Sequence, residues 1–93
     1  MSQVLSELYA TIRARQEAPP AGSYTASLFA AGLTQIAQKI GEEAMEVMVA
    51  ALAESKDRVL SESADLIYHL LVLLAQREVE WREVEEELQR RGK

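Results

Sequence analysis

The stretch "KIGEEAMEVMVAAL", Lys39 to Leu52, constrains this chain most. It has the apolar content of a helix packed on several sides, yet three glutamates interrupt it. At about 100° per residue, Glu43 shares a stripe with Ile36, Ile40, Val47 and Ala50. Lys39 and Glu46 fall on the flank of that stripe and Glu42 farther round, while Met45, Met48 and Leu52 occupy the opposite side. A helix apolar nearly all round is a buried one, so Glu43 stands where packing calls for a leucine.

A second stretch repeats the anomaly. In "ESADLIYHLLVLLA", Glu62 shares a stripe with Leu66, His69 and Leu73, and Asp65 lies on its flank. Each acid pair spans one turn, so both members project together. The connection "SKD" at 55–57 is short, which makes the two helices an antiparallel pair able to aim both acid pairs at one spot. At about 6 Å and an effective dielectric near 20, each like-charged pair costs on the order of 3 kcal/mol. Four converging acids contain six such pairs, and their sum exceeds the roughly 5–15 kcal/mol stability of a domain. Either some acids are protonated or a cation neutralises them. Oxygen-only ligands select hard ions, Mg²⁺ or Mn²⁺, over zinc.

The remaining chain is helical by pattern. Leu5, Leu8, Tyr9 and Ile12 mark a first helix over about Gln3–Gln16, closed by "EAPPAGS". Ser23 or Thr25 caps a short helical turn through "ASLFAA", which Gly32 ends. Thr34 is the expected cap of the helix over Gln35–Glu54, and Asp57 that of the helix over Val59–Gln76. A last helix turns Trp81, Val84 and Leu88 inward and ends near Gly92. No strand alternation or repeat occurs. The expected fold is all-α: one domain over 1–93, a four-to-five-helix bundle with two long central antiparallel helices.

Composition narrows the partners. A chain of 93 residues buries only about 60–65% of its unfolded surface, which makes a monomer marginal, yet 48% of it is hydrophobic, which points to burial against a second subunit. The net charge of −5 excludes a nucleic-acid coat. A phosphate ester approaching such a surface needs a divalent cation as bridge. The absence of cysteine permits the cytosol. "MSQVLSELYATIR" has no signal-peptide pattern, and "LIYHLLVLLA" is far short of the roughly 20 residues of a membrane span. A cytoplasmic protein with no membrane partner is expected.

Other polar residues have plainer readings. Lys39, one turn before Glu43, either pairs with it or contacts a phosphate. His69 reads as a hydrogen-bonded core histidine rather than a ligand. Ser23 and Thr25 cap a helix, though their hydroxyls and amides are also able to hold phosphate. The glutamates from Glu78 to Glu87 form a solvated face, and the three methionines fill core or interface.

Glu43-x-x-Glu46, fifteen intervening residues and Glu62-x-x-Asp65 resemble the signature of the all-alpha nucleotide pyrophosphohydrolases. "SYTASLFAAG", "KIGEEAMEV" and "ESADLIYHLLVLL" narrow the resemblance to the phosphoribosyl-ATP pyrophosphatases of histidine biosynthesis. "LSELYATIRAR" and "WREVEEELQRR" extend it over nearly the whole chain. The resemblance implies a homodimer that hydrolyses phosphoribosyl-ATP to phosphoribosyl-AMP and pyrophosphate with Mg²⁺. It implies metal ligation by Glu43, Glu46, Glu62 and Asp65, with Glu42 as accessory acid. Glu43 or Glu46 would orient the attacking water or take its proton. Lys39, Ser23 and Thr25 would meet the phosphates. Two rivals share parts of the pattern. A house-cleaning nucleoside triphosphate pyrophosphohydrolase keeps the acids and prefers free nucleotides. A helical oligomerisation module needs no metal. A ferritin-like di-iron bundle expects Glu-x-x-His pairs, which the single histidine does not form.

Overall fold

The computed structural model describes residues 2–92. Helix α1 (Ser2–Glu17) leads through a proline turn to α2 (Tyr24–Ala31). The long helices α3 (Leu33–Ala53) and α4 (Lys56–Gln76) follow, then α5 (Trp81–Arg91). No strand occurs among the described residues. The all-α expectation holds, and α3 and α4 form the most extensive helix pair.

The first helix follows its apolar stripe. Tyr9 and Ile12 are buried with Leu28, Ile36, Leu71, Val72 and Ala75, so one small core draws on α1 to α4. The Tyr9 hydroxyl also donates to the Val79 carbonyl at 2.6 Å, tying α1 to the link after α4. By length and composition alone α4 could cross a membrane. Part of its apolar surface is claimed by packing, with Leu71, Val72 and Ala75 wholly buried.

Of the two caps expected for α2, Ser23 is the one used, its hydroxyl accepting from the Ala26 amide at 3.1 Å. Two other caps depart from the sequence reading. Thr34 does not cap α3. One residue, Gly32, ends α2 and begins α3, and its φ of +98° is a conformation that disfavours side chains. Asp57 does not cap α4 either. Ser55 does, accepting from the Arg58 amide at 3.3 Å, so α4 starts three residues before Val59. Asp57 instead lies in the first turn, where a carboxylate complements the helix dipole.

At α5, Trp81 and Val84 are partly buried but Leu88 is 44% exposed, against the expectation that all three turn inward. This helix packs on α1 by its beginning, and Leu88 lies two turns farther on. The largest departure from a closed core is on the central pair. Met45, Met48, Val49 and Leu52 of α3 and Leu60, Ile67 and Leu70 of α4 are all exposed in the single chain.

Candidate metal and nucleotide site

The α3–α4 pairing brings the anomalous acids together. Glu43 and Glu62 are buried, at 6% and 4% exposure, while Asp65 is exposed. One carboxylate oxygen from each lies within 4.8 Å of the others. Octahedral Mg²⁺ at about 2.1 Å from its ligands spans about 4.2 Å between opposite oxygens, a spacing comparable to that of these three oxygens. The buried Glu43 Oε1 and Glu62 Oε2 accept no hydrogen bond among the described residues. Buried polar atoms are ordinarily paired. Two orphaned carboxylate oxygens on facing helices are the donor set a hard cation needs, and the residues fit the group.

Glu46 is exposed and lies outside that trio. It meets the cluster through Glu62. The neighbouring Glu46 carboxyl raises the Glu62 pKa above its ordinary value, burial raises it further, and Arg58 opposes them. A proton shared between two carboxyls is the metal-free way of relieving their repulsion.

Cations flank the cluster. Lys39 Nζ lies 3.6 Å from Glu43 and 3.8 Å from Glu42, so the i,i+4 ion pair read from the spacing is present. Slight burial opposes the charged Lys39 amine, but Tyr24, Glu43 and Glu42 outweigh it and its pKa is raised. On the other helix, Arg58 lies 3.0 Å from Glu62 and 3.5 Å from Glu54. Arg58 was not singled out from the sequence, although Glu54-x-x-x-Arg58-x-x-x-Glu62 carries the signal. An open groove lined by Gln38, Gly41, Glu42, Met45 and Glu46 runs along α3 beside the acids.

The "SYT" segment reaches this region from α2. The Ser23 oxygen serves the cap. Thr25 is buried and its hydroxyl pairs with that of Tyr68, so it faces the interior rather than a phosphate. Tyr24 hydrogen-bonds His69. His69 is a buried core histidine with both ring nitrogens engaged, as its position implied. Tyr24 and Tyr68 were not foreseen, because their partners lie 45 and 43 residues away.

The sequence model of phosphoribosyl-ATP pyrophosphohydrolase matches residues 5–92. A phosphoribosyl-ATP pyrophosphatase of Metallosphaera sedula is 55% identical over 93 residues, covering all of both chains. One from Ignicoccus hospitalis is 53% identical, covering all of this chain and 91% of the relative. One from Paramagnetospirillum magneticum is 56% identical over 90 residues, covering 97% of this chain and 83% of the relative. By match length, identity and the paired acids on α3 and α4, this chain belongs to the phosphoribosyl-ATP pyrophosphohydrolase family.

Proposed function

We propose that residues 1–93 form a single hydrolase domain that converts phosphoribosyl-ATP to phosphoribosyl-AMP and pyrophosphate in histidine biosynthesis, acting in the cytoplasm as a Mg²⁺-dependent homodimer. Family membership carries the reaction. The observation that carries the site is the pair of buried, unpaired carboxylate oxygens on Glu43 and Glu62 with Asp65 beside them.

Glu43, Glu62 and Asp65 hold the cation, and Glu46 completes the set from the exposed flank. Mg²⁺, with Mn²⁺ as substitute, supplies charge neutralisation for the phosphate chain and acidifies a water. Glu46 is exposed at the edge of the cluster, which suits it to take a proton from the attacking water and pass it to solvent. Glu43, buried beside Lys39, suits ligation better than proton exchange with solvent. Attack in line with the leaving pyrophosphate separates the α and β phosphates. Lys39 offsets phosphate charge at the rim, with Glu42 as accessory acid and Ser23 as a further contact. The exposed apolar residues of α3 and α4 support dimerisation, since a face of this kind marks an interaction surface.

Product analysis with phosphoribosyl-ATP and Mg²⁺ tests the reaction. Equal amounts of phosphoribosyl-AMP and pyrophosphate are expected. Orthophosphate as first product, or preference for deoxynucleoside triphosphates in direct competition, refutes it.

A further inference from the structure

His69 lies one turn after Asp65 on α4, and the hydrolytic chemistry above does not use it. Its Nδ1 is 2.8 Å from the Asp65 backbone carbonyl and its Nε2 is 2.9 Å from the Tyr24 hydroxyl. A carbonyl only accepts, so Nδ1 carries the ring hydrogen. In the neutral imidazole Nε2 is then an acceptor, and Tyr24 donates to it. The two rings meet edge-on, with centroids 5.9 Å apart and planes at 83°. Tyr68 stacks against Tyr24 at 6.2 Å and 26°.

Tyr24 is still 53% exposed. Tyr68 lies against its ring and its hydroxyl is drawn to a buried histidine on another helix, so the ring is held while about half of the residue stays open to solvent. Its hydroxyl acts on the charge of Lys39, the cation beside Glu43 and Glu42. Tyr24 therefore stands at the start of α2, bonded to a histidine one turn from Asp65, with a fixed hydroxyl and an exposed ring. Aromatic faces of this kind stack purines without regard to hydrogen-bond pattern.

We propose that His69 is a positioning residue for the nucleotide: its hydrogen bond holds Tyr24 so that the exposed ring receives the purine or ribose of a substrate whose phosphates lie at the acids. The proposal rests on the nucleotide-hydrolase reading above and deepens it. His69 acts through Tyr24, and Tyr24 is the group that touches the substrate.

Two substitutions separate positioning from simple core support. In His69→Gln the amide oxygen reaches the place of Nε2 and keeps an acceptor for Tyr24. In His69→Asn the amide lies near Nδ1, keeping the Asp65 contact and losing that acceptor. Tyr24→Phe removes the same hydrogen bond at an exposed position where folding is not at risk. KM for phosphoribosyl-ATP should rise about tenfold in His69→Asn and Tyr24→Phe, the effect of one ordinary hydrogen bond. It should stay within about threefold of wild type in His69→Gln, with kcat little changed in all three. Calorimetric binding of α,β-methylene-ATP with Mg²⁺ should follow the same order, and the double variant should be no worse than His69→Asn alone. Equal KM in His69→Asn and His69→Gln, or unchanged KM and analogue affinity in Tyr24→Phe, overturns the proposal and leaves the hydrolase reading standing. A wild-type chain inactive on phosphoribosyl-ATP overturns both.

Discussion

Glu43→Gln sets stability against function. The substitution keeps the shape of a side chain 6% exposed and removes its charge. In the metal-free protein, oxygens of Glu62 and Asp65 lie within 4.8 Å of a Glu43 oxygen. Unit charges at about that distance repel by about 3.5 kcal/mol at an effective dielectric near 20. Three effects reduce the gain from removing one charge. Asp65 is exposed and partly screened, Glu62 has a raised pKa, and the Lys39 attraction at 3.6 Å is lost. Lys39 is itself 37% exposed, which keeps that last loss small. The net is a stabilisation on the order of 1 kcal/mol, or about 4–8 °C in Tm for a domain of this size. In EDTA the variant should therefore melt no lower than wild type, and higher if the acids are largely ionised. With Mg²⁺ at about 100 times its Kd, the wild type gains about 2.7 kcal/mol that the variant largely forgoes, and the order narrows or reverses. Activity should fall by a factor on the order of 10² or more, since a site ligand is gone. Thermal melts at fixed protein concentration with EDTA and with Mg²⁺, beside one pyrophosphate-release assay, check it. Near wild-type turnover in the variant, or a melt several degrees lower in EDTA, refutes the reasoning.

Leu52→Glu places a charge on a residue 88% exposed in the single chain, so it should shift sedimentation toward the 10.4 kDa monomer with little direct effect on the fold of each chain. A wild-type protein that sediments as a monomer at micromolar concentration refutes the interface itself. Gly32→Ala should cost about 1–3 kcal/mol in a denaturant melt, because φ of +98° and ψ of 171° strain any side chain even though open space surrounds the position. Tyr9→Phe removes the 2.6 Å bond to the Val79 carbonyl and should cost about 1 kcal/mol. Burial chiefly, with help from Glu80, raises the Tyr9 pKa above its unfolded value. Its contribution is thus complete below about pH 10 and is lost as pH rises through the folded pKa. The alkaline fall in stability should accordingly be shallower in Tyr9→Phe than in wild type.

Much of this architecture is local and hence readable in the chain. Helical period follows from backbone geometry, so the stripe Ile36, Ile40, Glu43, Val47 and Ala50 could be drawn from spacing, and Glu43 is indeed buried on it. The same holds for Glu62 and His69 on α4. Helix starts were less legible, because several hydroxyls and carboxylates compete for each cap. Ser55 and Gly32 prevail over Asp57 and Thr34 because the backbone between the helices must turn in two residues or in one.

What periodicity could not decide is how one helix is rotated and shifted against the next. That packing puts Glu43, Glu62 and Asp65 within reach of one ion and leaves Glu46 at the edge. It buries the Thr25 hydroxyl against Tyr68 and joins Tyr24 to His69 across 45 residues. It also stops Leu88 short of the core and leaves Met45, Met48 and Leu52 uncovered. Spacing along a helix sets which side chains share a face, but contact between helices depends on how side chains of both interlock, and that is a property of the folded chain.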